Sequence, residues 1–494
     1  PSSTSGRVPS GRIRMAGTFG EFPMDQPAGD GVFELDLDVL DASLAFQEDW
    51  PSLEAVDARL QFRGRSLKVL ADRGTTLGAR IEKAEAQIDD LRNSVLELDA
   101  STQGDLRQYY AYLQGSPLRT TLAPLLRHTR AQGRADLDLH LDIPFNDPKQ
   151  TRASGRVRLN QAQLLYTALD EPFRKLQGEI RFNGDQVRGE GLTGEFYGEP
   201  LQVSLSPGQS GGIGLNASFD LPYGQGSALE AAFVPSWLRG KFIGTGHWQG
   251  HIILGKDEPL VLTSKLTGVR STLPPPLGKS AEVARTLTVR VGAAEPGADV
   301  AVGVDYADLL RGRFELSKGR LLRGRLQFGA QPLEALPAEG VIVGGSLANA
   351  EIDDWVPQIQ ALGQEAGGGG GPGLQAADLK FQRIGFGALS ARDVSMSVRP
   401  NGPNWAITLD GKGAHGHLLW PSDSRGEVFA RLEDMNLAYA VSNEDDGDDG
   451  AVLTAFTISL GEPAEMARKA AKYPDRPLLK LKVTGEGDLG RIAA

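Results

Sequence analysis

The chain has 494 residues with 62 glycines, 29 prolines and no cysteine, and its acidic residues outnumber basic ones 63 to 52, a net charge of −11. A disulfide scaffold, a thiolate metal site and a cysteine nucleophile are therefore impossible, and the acidic balance argues against nucleic acid as a main partner. Glycine at about one residue in eight, without a three-residue period, excludes collagen and disfavours a helical bundle, leaving many short strands joined by tight turns.

The first residue is Pro1 and the first methionine is Met15, so the chain is expected to be a processed or internal piece of a longer one. No apolar run approaches the ~20 residues of a membrane span. The absence of cysteine fits an oxidising compartment without requiring one.

Residues 33–39 form the first strong element: Phe33, Leu35, Leu37 and Val39 alternate with Glu34, Asp36 and Asp38. Strict alternation of apolar and acidic side chains is the pattern of a strand with one dry and one wet face. Strands are also expected near 55–63, 66–71, 76–90 (one strand or two) and 94–99. Residues 105–113 read as a helix, because Leu106, Tyr109, Tyr110 and Leu113 recur at helical spacing. Ser116-Pro117 ends it, and a second helix is expected over 118–128.

Residues 135–143 repeat the dry-wet alternation with Leu137, Leu139, Leu141 and Ile143 inward. Strands follow near 154–166, 176–183, 186–193, 199–206, 211–221, 226–234, 241–254, 259–269, 284–292, 298–305, 312–317, 320–328 and 340–350. Short Gly, Asn and Asp turns between them predict an antiparallel meander. Residues 352–362 read as a helix opening on Asp353 and Asp354. Residues 363–373, with five consecutive glycines, read as a flexible linker or loop. The last strands are expected near 374–384, 389–398, 404–411, 413–420, 424–434, 451–460 and 477–487, with a helix near 463–473. The expected organisation is thus a continuous β segment over 1–362 with helices near 105–128 and 352–362, the linker, and a continuation over 374–494.

No motif argues for catalysis. The G-x-S-x-G match at 208–212 precedes an alternating strand, whereas a nucleophile elbow must precede a helix, so a turn is expected there. Gly278-Lys279-Ser280 lacks the first glycine of a phosphate loop, Leu273 standing in its place. His247 with His251 and His415 with His417 lack further ligands. The acidic run Glu444, Asp445, Asp446, Asp448 and Asp449 does not have EF-hand spacing. No catalytic residue, metal or cofactor is expected.

What covers the dry faces then becomes the functional question. A string of β-sandwiches would bury them against each other. An uncovered aliphatic trough would instead suit acyl chains. The pattern of alternation leaves both open.

Several segments, in this order, carry a resemblance: Gly20-Glu21-Phe22-Pro23, Trp50-Pro51, Ala58-Arg59-Leu60-Gln61-Phe62, Ile88-Asp89-Asp90-Leu91 and Tyr112-Leu113-Gln114-Gly115-Ser116-Pro117-Leu118. Residues 139–144, Leu176-Gln177-Gly178-Glu179-Ile180-Arg181-Phe182, Gly198-Glu199-Pro200-Leu201, Leu273-Pro274-Pro275-Pro276-Leu277-Gly278-Lys279, Ile352-Asp353-Asp354-Trp355 and Leu432-Glu433-Asp434-Met435-Asn436-Leu437 continue it. Together they resemble the AsmA-like superfamily, in particular its YhdP branch. The resemblance implies a mainly β fold: a long twisted, curved antiparallel sheet forming an elongated open hydrophobic groove, with a few short helices. It also implies non-enzymatic phospholipid transport between the inner and outer membranes of a Gram-negative envelope. The body would lie in the periplasm, with an inner-membrane anchor outside this segment and outer-membrane or periplasmic partner proteins. The alternative is a structural or scaffold β-protein assisting outer-membrane assembly or surface interactions. On the transport reading the lipid-binding floor is expected at Phe33, Leu35, Leu37, Val39, Leu137, Leu139, Leu141, Ile143, Ile180, Phe182, Val203, Leu205, Leu326 and Phe328.

Overall fold

The computed structural model describes residues 4–18, 22–23, 31–45, 50–92, 95–116, 119, 129–147, 150–166, 171–208, 212–224, 228–234, 238–254, 258–352, 354–355, 357–358, 373–386, 389–411, 414–421, 429–437 and 456–458. The fold is mainly β, with 26 strands and two named helices among the described residues, the strands hydrogen-bonded as a sheet. The chain divides into two compact units, residues 1–220 with 248–260 and residues 221–247 with 261–494.

The first unit is built on β1 (Thr4–Ala16), β2 (Val32–Leu44), β3 (Leu53–Arg63), β4 (Ser66–Thr76), β5 (Ala79–Ile88) and β6 (Val95–Asp105). Helix α1 (Leu106–Gln114) follows β6 without a linker, and then come β7 (Thr129–Pro144), β8 (Arg152–Tyr166), β9 (Phe173–Asn183), β10 (Gln186–Phe196), β11 (Glu199–Pro207) and the start of β12 (Ile213–Tyr223). Each of these strands pairs antiparallel with the next. Two-residue turns set the register; Leu77-Gly78 and Tyr197-Gly198 both have positive φ at each position, the hairpin geometry that matches strand twist. The region read as 76–90 is therefore the turn and second arm of a hairpin. Strand β1 escaped the sequence reading because its residues alternate poorly; its described side chains are all exposed.

Alternation along several strands is interrupted by β-bulges. Asp41, Ala55, Gln161 and Lys175 take positive φ, and the register shifts beside them. Each extra residue reverses which parity faces inward and strengthens the local twist. In β2 the inward set thus passes from Val39 to Ala42, which pairs with Val56 of β3.

The second unit contains α2 (Ala228–Phe233), the start of β13 (Phe242–Leu254), nearly all of β14 (Leu260–Ser264), and β15 (Val269–Ser271), β16 (Leu287–Gly292), β17 (Val300–Tyr306), β18 (Leu310–Ser317) and β19 (Arg320–Phe328). It continues with β20 (Gly340–Glu351), β21 (Leu374–Phe386), β22 (Leu389–Asn401), β23 (Asn404–Gly411), β24 (Ala414–Pro421), β25 (Phe429–Leu437) and β26 (Phe456–Ile458). Strands β16 to β19 and β21 to β26 run antiparallel, but β20 is parallel to both β19 and β21. The meander is therefore broken twice by crossover connections.

Residues 226–234, expected as a strand, hold α2 instead: Ala228-Leu229-Glu230-Ala231-Ala232 is a run of strong helix formers. Residues 259–269, expected as one strand, hold β14 and the start of β15, separated by an irregular segment with Leu266 and Gly268 at positive φ. In that segment the Lys279 ammonium is buried and donates to the carbonyls of Leu266 at 2.8 Å, Ser280 at 3.1 Å and Val269. Burial pushes its pKa below the ordinary lysine value. The helix expected at 105–113 is α1, and residues 352, 354, 355, 357 and 358 are helical. The expected helix at 463–473 and strand at 477–487, and all of 118–128 except helical Arg119, lie outside the described residues.

Candidate functional site: an uncovered apolar face

In the first unit, strand register lines the inward residues up in rows. Leu35, Phe62, Leu67 and Ile88 are successive partners across β2 to β5, with Ile13 of β1 beside Leu35. The next row runs Leu37, Leu60, Val69, Ala86, Leu98, Leu141 and Ala153. A third runs Val39, Ala58, Ala71, Ala84, Ala100, Leu139, Gly155, Phe182 and Val187. A fourth runs Thr102, Leu137, Val157, Ile180, Gly189, Leu205 and Leu215. Val203 continues this face through Leu192 and Ala217, and Phe33 through Met15. None of these positions carries a charge. With Ile143, which pairs with Leu96 beside the Leu98–Leu141 row, twelve of the fourteen residues expected on the floor share one face of this unit.

The other two, Leu326 and Phe328, sit on β19 in the second unit. Leu326 belongs to a row of Gly312, Val343, Ala377, Val398, Ile407 and Leu418. Phe328 lies in the adjoining row with Leu310, Gly345, Leu379, Met396 and Leu409. It is 6% exposed and meets the Trp355 ring edge to face at 6.4 Å.

Burial separates a groove from a sandwich. Of the fourteen residues only Leu141, Ile143 and Phe328 are buried, and the other eleven are half-exposed. Inward residues of a sandwich are covered by a facing sheet about 10 Å away. Here most inward residues keep open surface. Among the described residues, Ala42, Val56 and Ala71 form one buried cluster, and Trp50, Leu141 and Ile143 form another, with Leu96, Leu98, Tyr112, Leu139 and Ala153 packed against it.

The reverse face is a lattice of ion pairs. Asp36 accepts from Arg63 at 2.8 Å, Asp38 from Arg59 at 3.1 Å, and Asp138 from Arg156 at 2.7 Å and Ser101 at 2.7 Å. The Arg156 hydrogen bond, with that of Ser101, holds the Asp138 carboxyl below its ordinary pKa. His140 lies 2.8 Å from Asp99, whose hydrogen bond raises the imidazole pKa. This arrangement keeps one side of the sheet wet.

Sequence alternation missed apolar residues that lie beyond bulges or among short side chains: Ala42, Val56, Ile81, Ala162, Leu192 and Leu201, all buried. The available signal was the break itself, a polar or small residue after which apolar residues change parity. Alanine rows such as Ala58, Ala71, Ala84 and Ala100 gave little hydrophobic contrast.

Among the described residues no three His, Asp or Glu side chains are grouped so as to hold a metal ion. His251 contacts Asn216 at 2.8 Å, His415 contacts Asp410 at 3.3 Å, and His417 contacts Thr408 at 3.1 Å. Ser210 and the acidic run near 444–449 lie outside the described residues. No helix among the described residues is long and apolar enough to cross a membrane.

Comparison with known proteins places the chain by sequence. It is 29% identical over 270 residues to a protein of Escherichia coli (strain K12) described as intermembrane phospholipid transporter YhdP, the match covering 53% of this chain and 21% of the relative. The chain therefore spans about a fifth of that relative's length. No solved structure matches. The family model for the YhdP protein matches residues 2–473, nearly the whole chain, and the chain belongs to the YhdP family.

Proposed function

We propose that this chain carries phospholipids, their acyl chains lying on the apolar face and their head groups remaining in water. The observation that carries the reading is the set of charge-free rows across the first unit, most of whose members are half-exposed. Each methylene removed from water contributes about 0.8 kcal/mol, so a deep local pocket would trap a lipid. Rows of interchangeable Leu, Ile, Val and Ala give similar affinity at successive positions and allow movement along them. The process needs no covalent step, and the chain is read as non-enzymatic.

The YhdP relative's description as an intermembrane phospholipid transporter supports carriage between the two membranes of the envelope. On this reading the segment works in the periplasm as part of a longer protein held at the inner membrane, with envelope proteins as partners at its ends. All fourteen positions expected from sequence are assigned to the acyl-chain floor, with Leu141, Ile143 and Phe328 as its covered parts.

The test is mass spectrometry of an organic extract of the protein, purified gently from a Gram-negative envelope. Stoichiometric phospholipid is expected. A lipid-free extract would favour the scaffold reading, in which the apolar face meets protein.

A further inference from the structure

The reverse face of the first unit carries cations in direct register. Across β5 to β10 the cross-strand partners run Lys83, Ser101, Asp138, Arg156, Arg181 and Arg188. Three arginines thus stand side by side on β8, β9 and β10. Like charges set directly opposite each other weaken a strand pair. Strand β8 adds Arg152 and Arg158 and has no carboxylate of its own. Relief from neighbouring acids is partial. Asp138 is shared between Arg156 at 2.7 Å and Arg158 at 3.2 Å, and Glu179 accepts from Arg181 at 2.7 Å. Arg188 is exposed and has no hydrogen-bond or ion-pair partner among the described residues.

The two paired arginines are tethered through one nitrogen each. Arg156 donates to Asp138 through Nε, and Arg181 donates to Glu179 through Nε. These bonds fix the direction of each side chain and leave the terminal nitrogens without a hydrogen bond to a described residue. The planar fork of a guanidinium matches the oxygens of a phosphate. The row also opens onto a depression of about 530 Å³, lined in part by Lys83, Ser101, Asp138, His140, Arg156 and Arg181. Lys83 is a further exposed cation with no partner among the described residues. The other carboxylates of the lining are already engaged, Glu85 with Lys68 and Asp99 with His140.

We propose that Arg156, Arg181 and Arg188 bind the phosphate of a soluble phosphate monoester, the rest of which lies in the depression. Adjacent strands lie about 4.8 Å apart, so the outer two arginines start about 10 Å apart, within converging reach of their long side chains. Three forks suit the three terminal oxygens of a phosphate monoester better than the two of a carboxylate. Binding replaces repulsion along the row with charge-assisted hydrogen bonds. Arg156 and Arg181 alternate along their strands with Val157 and Ile180, which belong to the acyl floor on the other face. The sheet therefore separates the site from the head group of a lipid on that floor, and the site is independent of the carrier reading.

Calorimetric titration of the full-length protein with glycerol 3-phosphate at constant ionic strength tests the site. One saturable site is expected. Arg181→Gln with Arg188→Gln should weaken it by about tenfold or more. Arg188→Gln alone should weaken it several-fold, and no protein contact is lost there. Arg14→Gln, an equal change of charge on β1, should leave binding unchanged. Lipid loading of the double variant should match wild type. Absence of saturable binding would overturn the site, as would an equal loss in Arg14→Gln, which would reveal general charge attraction. Binding to phosphatidylglycerol vesicles but not to glycerol 3-phosphate would overturn the soluble ester and move phosphate recognition to the lipid face. Glycerol 3-phosphate binding by a protein that carries no lipid would support the site and count against the carrier reading alone.

Discussion

Phe182 lies against the bare α-carbon of Gly155, its Cζ only 3.0 Å from where a β-carbon would stand, and such a carbon would also overlap the Asp138 carbonyl oxygen. The two residues are register partners on the floor, so the glycine makes room for the phenyl ring in the row that Leu139 shares.

Gly155→Val should therefore displace the ring and strain the β7–β8 ladder. Overpacking of this kind costs about 1–3 kcal/mol. Urea denaturation of the purified segment is the measurement, and an unchanged midpoint would show that the ladder absorbs the added carbons.

Leu139→Asp tests the floor at a residue that packs against the Trp50–Leu141–Ile143 cluster but is not itself buried. Leu139 is half-exposed, so the strand should form and circular dichroism should be unchanged. A carboxylate against hydrocarbon costs about 2.5–3.5 kcal/mol, roughly a hundredfold in lipid loading. Loading equal to wild type would remove Leu139 from the lipid path.

Covered and uncovered parts of the floor should respond in opposite ways. Leu141 is fully buried in the cluster with Trp50 and Ile143, and Leu141→Ala should destabilise by about 2–5 kcal/mol. Ala100, two rows away from Ile143 on β6, is half-exposed. Ala100→Phe should change stability by about 0.5 kcal/mol or less, while its ring obstructs the row and lowers lipid transfer. Thermal unfolding paired with a transfer assay separates the two effects.

His140 supplies a pH signature for the wet face. Asp99, with a smaller contribution from Asp142, raises its pKa above the ordinary value of 6.5. The folded protein binds the proton more tightly than the unfolded chain. The pair's stabilisation is therefore fully present below the unfolded pKa and is lost as pH rises through the higher folded one. Asp99→Asn should lower the His140 pKa in an NMR titration, and its destabilising effect should be greater near pH 6 than near pH 9. Lipid loading should be unaffected, since His140 and Leu139 point to opposite faces.

Much of the site is legible in one dimension. Alternation in residues 33–39 and 135–143 correctly put Leu35, Leu37, Leu139 and Leu141 on a common kind of face, since side-chain direction in a strand has period two. The same rule failed at Asp41 and Gln161, where bulges reverse parity and bring Ala42 and Ala162 inward. It failed over 226–234 because local helix propensity outweighed the expectation of another strand.

Sequence alone thus determined the β class, the wet and dry faces and the absence of a thiol. It also specified the hydrophobic character of the floor, because these follow from composition and the period of the strand. Tertiary structure decided which strands share a row, where β20 turns parallel, and which floor residues are covered. Trp50 and Tyr112 come from separate connections and share no sequence period. Their packing over β7 leaves Leu141 fully buried and Leu139, two residues away on the same face, only half-buried at the edge of that cluster.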